Sequence, residues 1–337
     1  MPQVEAQPSV VTASEPSETG KRPPRVSVGL VVYNGERYLE SSIESLLGQT
    51  YGDFELVISD NGSTDDTEAI SRAAVARDDR VRYSRSDTNR GVAWNLNNVA
   101  HLGRGEYFVW ASHDDLHSRD FLERCVRVLD ADPEVVYCYA ATYLMDGDGH
   151  VFGREANRFN LRSASPDRRF WEQLVVRGGQ NFYGMIRGST LRSIGAHGRT
   201  PWAERVMFGE LSLNGRFAVA PEARFYWRRH EGQLTEVWDS RSRFALALDP
   251  NRPAWRRTSP ALIAEYVGGY IGAIGRAPLS VGERLRCYAR LARWLIGHVP
   301  GLQVRDPRAV AIDVLPVRPE DQLPPDEAAS AGGRSRT

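Results

Sequence analysis

The sequence predicts an α/β protein built on a Rossmann-like, mainly parallel sheet flanked by helices. The β-branched run VSVGLVV at residues 26–32 is typical of a strand that is covered on both faces. A segment with apolar residues at helical intervals follows it, and this strand-then-helix order recurs through the first part of the chain. Repeated units of this kind give a parallel sheet with right-handed crossovers.

The predicted elements alternate in order from residue 26 to residue 140. Strands are expected at residues 26–32, 54–59, 81–85, 106–111 and 135–140. Helices are expected at residues 37–47, 64–76, 92–102 and 119–129. Two later helical segments, at residues 262–274 and 279–298, predict a C-terminal helical extension.

The composition fits a soluble globular protein and narrows its partners. The chain has 337 residues, of which 41% are hydrophobic and 26% are charged. Lysine plus arginine and aspartate plus glutamate both total 43, so no basic field favours nucleic acid as a partner. The three cysteines are spaced too widely for a zinc knuckle or a disulfide framework, which indicates a reducing, cytoplasmic location. No apolar run is long enough to predict a membrane-spanning helix.

Short polar residues cluster at the ends of the predicted strands, where parallel sheets bind ligands. Asn34 and Gly35 follow the first strand, DNGSTDDT (residues 60–67) follows the second, TNRG (residues 88–91) precedes the third helix, and SHDD (residues 112–115) follows the fourth strand. Taken singly, such residues are turn formers and helix caps. Their recurrence along one sheet edge indicates a ligand site.

Two adjacent carboxylates, Asp114 and Asp115, end a hydrophobic strand in this pattern. Neighbouring like charges repel unless a cation or a hydrogen-bond donor lies between them. The chain has neither GxGxxG after its first strand nor GxxxxGK[ST], which disfavours a dinucleotide-binding domain and a P-loop. A carboxylate pair can instead hold Mg²⁺ or Mn²⁺ together with a diphosphate. The pair therefore predicts a divalent metal cofactor.

Three motifs occur in order within residues 26–140: VVYNGERYLESSIESLLGQTYGDFELVISDNGSTDDT, NRGVAWNLNNVA and YFVWASHDD. Together they resemble the nucleotide-binding half of the family-2 inverting glycosyltransferases, which have the A-type fold and use nucleotide-diphosphate sugars. A weaker similarity continues to about residue 235. The resemblance implies the same fold, the same class of donor and a metal site for this chain.

The resemblance also implies roles for individual residues. The residues expected to bind the nucleotide are Val32, Asn34, Asp60, Asn61, Arg90, Asn95 and Asp114. Asp115 is the first choice for the metal ligand, and Asp114 would contact the ribose or the metal. His113, Arg228 and His230 are expected near the diphosphate or the metal. This chain departs from the family pattern at Ser112, where an acid is common, and at Asn61, where an aspartate is common.

An inverting transferase needs a general base that removes the proton from the acceptor hydroxyl. In the family this acid precedes an amphipathic helix that ends near a glycine. The segment WAERVMFGELSLNG has this layout, and Glu204 stands eleven positions before Gly215, where the family has its base. Glu210 is the rival candidate, and either residue could instead be a solvated carboxylate on the helix.

Four divisions of the chain are expected. Residues 1–24 lack the apolar core of a signal peptide and predict a disordered arm. Residues 25–245 form the transferase domain, with a nucleotide-sugar half at 25–141 and an acceptor half at 142–245, in which residues 182–230 complete the sheet. Residues 246–315 form the helical extension, and residues 316–337 predict a disordered tail.

The last predicted helix, which begins at Leu279 and ends at His298, has two interpretations. It combines an apolar stripe with basic residues: Leu285, Ala289, Ala292 and Ile296, with Arg284, Arg286, Arg290 and Arg293. Such a helix can make a peripheral contact with the inner face of an anionic membrane, or it can pack against the catalytic domain.

The predicted function is transfer of a sugar, with inversion, from a nucleotide-diphosphate sugar to the hydroxyl of a glycan or lipid-linked acceptor in cell-surface glycan or glycolipid synthesis. A nucleotidyltransferase is disfavoured because only Gly35 and Arg37 stand where such enzymes carry a glycine-rich basic loop. A nucleotide-sugar-binding protein with impaired catalysis stays open because of the changes at Ser112 and Asn61.

Overall fold

The computed structural model describes residues 22–156, 161–175, 182–195, 197–233, 241–298, 314–324 and 331. Its strands are β1 (Val26–Val32), β2 (Phe54–Asp60), β3 (Val81–Arg85), β4 (Tyr107–Ser112), β5 (Leu116–His117), β6 (Val135–Met145), β7 (Val151–Glu155), β8 (Met185–Arg187), β9 (Arg216–Arg228) and β10 (Val314–Leu315). Its helices are α1 (Leu39–Leu47), α2 (Thr67–Arg77), α3 (Val92–Leu102), α4 (Phe121–Ala131), α5 (Pro166–Val175), α6 (Gly188–Ser193), α7 (Ala203–Asn214), α8 (Arg241–Leu248), α9 (Ser259–Arg276) and α10 (Val281–His298).

One sheet runs through the molecule in the order β10-β7-β6-β8-β4-β1-β2-β3. Strand β1 pairs in parallel with β2 and β4, and β3 pairs in parallel with β2. Strand β8 lies antiparallel between β4 and β6, and β9 pairs in parallel with β6. The predicted α/β class with a mainly parallel, helix-flanked sheet is confirmed, and β8 and β9 join the sheet.

The register of the parallel strands brings the polar turns together at one edge. Val32 at the end of β1 pairs with Asp60 at the end of β2. On the other side, Val31 pairs with Ser112 at the end of β4. The segments that follow these three strands therefore start side by side, as the sequence predicts.

The central strands are buried on both faces, which explains their continuous apolar sequence. In β2, Leu56 and Ile58 belong to a core cluster on one face of the sheet, whereas Val57 belongs to a second cluster on the other face. Helices α1 and α4 contribute to the first cluster and helices α3 and α7 to the second. This two-layer cover holds the strand ends in fixed positions beneath the site.

The C-terminal helices pack on the half of the domain that carries α7. A third cluster joins Phe170 of α5 and Leu213 of α7 to Tyr270 of α9 and Leu291 of α10. Packing of the last helix against the domain is therefore found. Among the described residues, no helix is both long and apolar enough to span a bilayer.

Part of the predicted disordered tail is ordered in the structure. Strand β10 pairs antiparallel with β7, and residues 316–324 continue beside β6 and β7. The Tyr143 hydroxyl donates to the buried carboxylate of Asp321 at 3.0 Å, and Leu323 is buried in the same cluster. The prediction of a disordered tail was wrong for residues 316–324. Their proline-rich composition is typical of disorder, but Asp321 and Leu323 are buried against the edge of the sheet. The predicted arm at residues 1–24 lies mostly outside the described residues.

Candidate functional site

The turn after β2 is organised by the carboxylate of Asp60. This carboxylate is fully buried and accepts hydrogen bonds from the Tyr83 hydroxyl at 2.6 Å and from the Ser63 backbone N–H at 2.9 Å. Arg85 Nε lies 3.3 Å from it. The position of Asp60 in the nucleotide half matches the prediction, but three neighbours occupy its oxygens. Its role in nucleotide binding stays a prediction, with shaping of this turn as the function that the contacts favour.

Asn34 connects the turn after β1 to the turn after β2. Its backbone has φ 51°, a left-handed conformation that asparagine tolerates better than most residues. Its backbone N–H donates to Ser63 Oγ at 2.9 Å, and its side-chain oxygen accepts from the Thr64 backbone N–H at 2.9 Å. Asn34 is exposed, so the clasped turn presents it to solvent at the sheet edge.

The contacts of Asn61 require an amide at a position where an acid is common in the family. Its side-chain NH₂ donates to Asn89 Oδ1 at 3.0 Å and to the carbonyl oxygen of Gly91 at 3.2 Å. Its side-chain oxygen accepts from the Arg90 backbone N–H at 2.9 Å. An aspartate could not donate hydrogen bonds to Asn89 Oδ1 and to the Gly91 carbonyl oxygen. The amide is therefore needed to join the turn after β2 to the segment before α3. The Arg90 guanidinium lies over the Trp94 ring, 4.4 Å from its centroid.

Val32 and Asn95 lie beneath the surface of the site. The Val32 carbonyl oxygen accepts from the Asn61 backbone N–H at 2.9 Å and from the side-chain NH₂ of Asn95. Asn95 is buried, and its amide also bonds to the hydroxyl and the carbonyl oxygen of Ser59. These contacts tie α3 to the ends of β1 and β2, so Asn95 supports the site rather than lining it.

Asp114 faces an imidazole across the site. His230 Nε2 lies 3.1 Å from Asp114 Oδ2, and Gln233 Nε2 lies 3.5 Å from the same oxygen. Ser112 donates a short hydrogen bond to Asp114 Oδ1. Burial by itself would raise the pKa of Asp114, but nearby His113 and the hydrogen bonds from His230 and Ser112 lower this pKa below its usual range. Asp114 is therefore ionised at neutral pH.

Asp115 has a different environment from its neighbour. It is almost completely buried, and its Oδ1 accepts the Arg228 backbone N–H at 2.9 Å. Burial and then the charge of Asp114 raise the pKa of Asp115 well above its usual value. The two carboxylates of the predicted pair therefore differ. Asp114 is ionised and faces His230, whereas Asp115 lies deeper and is hydrogen-bonded to β9.

Arg228 lies under the site rather than in it. Its Nε donates to the Asp114 carbonyl oxygen at 2.7 Å, and its Nη1 donates to the carbonyl oxygens of Asp146 and Gly147. The guanidinium is stacked on the Tyr38 ring, 4.4 Å from its centroid. Arg228 is fully buried, and its Nη2 has no hydrogen-bond partner within the described chain.

His113 closes the gap between the ends of β4 and β1. A Cβ atom on Gly35 would lie 2.7 Å from the His113 ring, so glycine is needed for this close approach. His113 is half-buried, and its charge when protonated would act on Asp114. The prediction of a diphosphate or metal contact for His113 is not tested by this packing.

Three site residues were not predicted from the sequence: Tyr38, Tyr183 and Gln233. Tyr38 packs beside His230, with ring centroids 4.8 Å apart. Gln233 also donates to the carbonyl oxygen of Arg228, and its Oε1 is buried with no partner among the residues described. The signal for Gln233 was its place just after His230, whereas Tyr38 and Tyr183 carry no local signal because distant segments bring them to the site.

Tyr183 lies within electrostatic range of both the carboxylates of the nucleotide half and the candidate base. Burial raises the pKa of its phenol strongly, and the charges of Asp115, Asp114 and Glu204 raise it further. A hydrogen bond between the phenol and the Ser112 hydroxyl acts in the opposite direction. The Tyr183 ring packs on Phe225 of β9 with centroids 5.2 Å apart. The charges of all three acids therefore act on one phenol, which belongs to both halves of the site.

Glu204 lies in the first turn of α7. Its side chain is open to solvent, yet protein surrounds it closely enough for desolvation to raise its pKa. Both observations describe a carboxylate that reaches solvent from among protein groups. A carboxylate whose pKa is raised is a stronger base than an ordinary surface glutamate.

Glu210, the rival candidate, faces the C-terminal extension instead of solvent. It is buried, and its two oxygens accept from Arg276 of α9 at 2.8 and 2.7 Å. The Gly195 backbone N–H is 3.3 Å from Oε2. Glu210 is thus a structural ion-pair partner of the C-terminal extension, and the geometry favours Glu204 as the base.

A second acidic group lies on the turn between β6 and β7. Asp146, Asp148 and His150 each offer one ligand atom within 4.8 Å of the others. Asp148 and His150 are exposed, and exposed acidic groups are common without an ion. Arg228 bonds to the carbonyl oxygens of both Asp146 and Asp114, so this group lies close to the strand-end site. Its carboxylates therefore provide a control for experiments on that site.

With this sheet order and this site, the protein has the A-type glycosyltransferase fold. Sequence comparison gives the family, because residues 27–195, half of the chain, match the glycosyl transferase family 2 model. The chain therefore belongs to glycosyltransferase family 2 and carries the domain of a glycosyltransferase.

Named relatives agree with this family. An uncharacterized glycosyltransferase of Rickettsia typhi is 33% identical over 170 residues, which cover 50% of this chain and 49% of the relative. The chondroitin synthase of Escherichia coli is 34% identical over 141 residues, 42% of this chain and 20% of the synthase. The similarity thus extends over about half the length of the first relative and a smaller part of the second.

Solved structures support the fold at low sequence identity. S. aureus TarS in complex with UDP superposes with a TM-score of 0.54 at 17% identity, over 83% of this chain and 73% of that one. TarS in complex with UDP-GlcNAc gives a TM-score of 0.57 at 18% identity, over 83% and 74%.

Proposed function

We propose that this protein is an inverting glycosyltransferase that moves a sugar from a nucleotide-diphosphate sugar to an acceptor hydroxyl. The single observation that carries the proposal is the position of Tyr183. Its phenol lies within electrostatic range of Asp114, Asp115 and Glu204, so the nucleotide half and the candidate base belong to one site. Inversion needs a leaving group on one side of the sugar and a base on the other, and this arrangement can provide both.

The nucleotide would bind at the clasped turns after β1 and β2. Asn34 is exposed there, and the turn that contains Asp60 and Asn61 supports it. Arg90 and Trp94 form a stacked pair on the same side, which could cover a flat base or its ribose. The TarS complexes contain UDP and UDP-GlcNAc, so a UDP sugar is the first donor to test.

A divalent cation is part of the proposal. Asp114 and His230 offer a carboxylate oxygen and an imidazole nitrogen 3.1 Å apart, and the buried Oε1 of Gln233 is nearby without a partner among the described residues. The carboxylate and the amide oxygen suit Mg²⁺ or Mn²⁺, and the imidazole favours Mn²⁺ of the two. We therefore place the ligands at Asp114 and His230, and Asp115 becomes the inner residue that anchors Arg228. A bound cation supplies positive charge against the diphosphate that leaves.

Glu204 would accept the proton of the attacking hydroxyl. The acceptor would enter from the α7 side, where Glu204 is open to solvent. The acceptor class, a cell-surface glycan or a lipid-linked glycan, is supported by the name of one relative, the chondroitin synthase. The cytoplasmic location stays a prediction.

The test is ligand-dependent thermal stability, because a ligand that binds only the folded state raises the apparent stability. UDP, GDP, UDP-GlcNAc and GDP-mannose are each added with Mn²⁺ or with EDTA. We expect one nucleotide family to stabilise the protein in Mn²⁺, by about 2 to 3 kcal/mol at a hundredfold excess over its dissociation constant. Asp114→Asn should remove most of the metal-dependent part.

Asp148→Asn is the matched control, because it removes a nearby exposed carboxylate from the turn between β6 and β7. It should leave the shift unchanged. Donor binding that is equal in Mn²⁺, in EDTA and in Asp114→Asn would contradict the metal site. Stabilisation by no nucleotide at all would contradict the proposed function.

A second candidate, a nucleotide-sugar-binding protein with impaired catalysis, is favoured by Ser112 in the place of an acid. Ser112 does not leave a gap, since its hydroxyl bonds to Asp114 and to Tyr183. The two candidates differ in turnover. Slow hydrolysis of the bound donor, lost in Glu204→Gln, supports the enzyme, whereas binding without hydrolysis or transfer to any glycan supports the binding protein.

A further inference from the structure

Helix α10 packs on the domain with a face other than its apolar stripe. Cys287, Leu291 and Trp294 are buried against α5 and α9. The stripe noted in the sequence, which includes Leu285 and Ile296, lies on the opposite side of the same helix. Packing against the domain is therefore found for one face of the helix, and the described part of the chain leaves the stripe on the other face exposed.

The uncovered stripe is long and apolar. Leu285 is 64% exposed and Ile296 is 77% exposed. With Val281, Ala289 and Ala292, which are also exposed, they recur every three or four residues along α10. The largest apolar patch on the surface of a monomeric protein is often a binding site.

The neighbouring helix extends this surface. Ile271 of α9 is exposed, and the hydroxyl of Tyr288 on α10 donates to its carbonyl oxygen at 3.4 Å. The apolar surface therefore spans two adjacent helices, with Ile271 on one side of the stripe. We call this surface, made of Ile271, Val281, Leu285, Ala289, Ala292 and Ile296, the α10 patch.

Arginines line the other edge of the α10 patch. Arg286, Arg290 and Arg293 follow one another at helical spacing, and Arg293 is exposed. Asp167 pairs with both Arg286 and Arg290 at 3.2 Å, so one carboxylate faces two guanidinium groups. The one acid of α10, Glu283, is engaged by Ser280 at the start of the helix. The edge is therefore net positive.

We propose that the α10 patch docks this protein on the surface of an anionic lipid bilayer. The inference goes beyond the transfer reaction and does not depend on it. An amphipathic helix with apolar residues on one face and arginines beside them lies in the plane of the interface, with its apolar side chains in the acyl boundary. The arginine edge lies at the level of the phosphate groups, which attract it.

The size of the patch favours a lipid surface over a second copy of the chain. Eighteen residues of helix extend about 27 Å, and a stripe about 10 Å wide gives an area of about 270 Å². A stable protein interface buries about 800 Å² on each partner. A bilayer needs no matching shape, so a narrow stripe with adjacent cations is sufficient.

The experiment is sedimentation of the full chain with vesicles, without any donor. Vesicles of phosphatidylcholine alone are compared with vesicles that also contain phosphatidylglycerol. We expect binding that rises with the anionic fraction and falls with salt. The double variant Leu285→Gln/Ile296→Gln should weaken binding by about a hundredfold. Arg293→Gln, which leaves the Asp167 pairs intact, should weaken it by about fivefold.

Phe152→Gln is the matched control, because Phe152 is 52% exposed on β7, away from this patch. It should bind vesicles like the unchanged protein. Circular dichroism of each variant establishes that the fold is retained. Equal binding by the double variant and the control, no preference for anionic vesicles, or a dimer in solution that the double variant abolishes would each overturn the proposal.

Discussion

The two halves of the candidate site are built in opposite ways. On the nucleotide side, the side chains are fastened to one another: Asn34 to Ser63, Asn61 to Asn89 and Asp60 to Tyr83. On the acceptor side, Glu204 makes no hydrogen bond or ion pair with any residue that the structure describes. One half is a fixed frame, and the other presents a single carboxylate with its oxygens available.

The position of Glu204 depends instead on its neighbours in α7. The Trp202 ring packs against the Tyr266 ring of α9 at 5.3 Å. Arg205 donates to the Tyr266 hydroxyl at 3.2 Å and to the Leu174 carbonyl oxygen at 3.2 Å. The residues on both sides of Glu204 are thus held by the C-terminal extension and α5. The comparison teaches that binding and chemistry have separate supports, so substitutions should affect them separately.

The largest expected effect is on Glu204. Glu204→Gln keeps the shape of the side chain and removes the basic oxygen, so turnover should fall by about 10² to 10⁴. The frame that binds the nucleotide does not include Glu204, so donor affinity should stay within about twofold. Steady-state transfer rates and donor titration measure the two quantities independently.

Glu210→Gln is the control on the same helix. Its loss weakens the pair with Arg276 and should reduce the free energy of unfolding by about 2 kcal/mol, with little change in turnover of the folded enzyme. A Glu210→Gln protein that is folded but inactive, beside an active Glu204→Gln protein, would reverse the assignment of the base.

The nucleotide half was largely predictable because its signals are local. Continuous apolar runs marked β1 and β2 as central strands, and turn residues marked their ends to within a few positions. The parallel register then brings the turns together automatically. The sequence did not reveal that Asn95 on α3 and Arg228 at the end of β9 face inward, since a polar side chain beside the site can contact either the ligand or the protein beneath it.

The acceptor half depended more on distant contacts. Strand β9 contains Pro221 and Glu222, which has φ 64°, and its register with β6 shifts there. Only pairing with β6 makes this segment one strand. The packing face of α10 likewise could not be identified from its apolar stripe, because Cys287 and Trp294 pack against aromatic residues of α5 and α9 that no local pattern indicates.

A second prediction concerns pH and uses one buried histidine. His117 lies between the rings of Phe121 and Phe225, and burial lowers its pKa to about 3. The unfolded chain takes up a proton below about pH 6.5, whereas the folded chain does not. The contribution of His117 to the free energy of unfolding is therefore most favourable above pH 6.5. The free energy of unfolding decreases as the pH falls toward 3, and the decrease is about 2 kcal/mol at pH 5.

Urea unfolding at pH 7.5 and pH 5.0 measures this loss. His117→Leu, which has a similar size and cannot be protonated, should lose about 2 kcal/mol less between the two pH values. Burial also lowers the pKa of His197, on the acceptor side, to about 4. His197 is unchanged in the variant, so its contribution to the pH dependence of stability remains and only that of His117 is lost. Equal pH dependence in the variant and the parent would show that His117 is accessible to protons in the folded protein.

The smallest expected effect is at the joint between the halves, where two neighbouring asparagines of α3 face different ways. Asn97 Oδ1 accepts from the His197 backbone N–H at 2.7 Å, and Asn97 Nδ2 donates to the His197 carbonyl oxygen at 2.9 Å. Asn98 Nδ2 donates to Ser59 Oγ at 2.9 Å, within the nucleotide half.

Asn97→Ala removes both bonds to the segment that precedes α7, so the position of Glu204 relative to the donor should become less defined. Because each neutral hydrogen bond contributes about 1 kcal/mol, we expect turnover at saturating donor to fall by about three- to tenfold, with donor affinity unchanged. Asn98→Ala should have the converse effect, a weaker affinity for the nucleotide with turnover close to that of the parent. Turnover and nucleotide affinity measured for both variants test the separation directly. If both variants change the same quantity, the two halves of the site are supported as one unit.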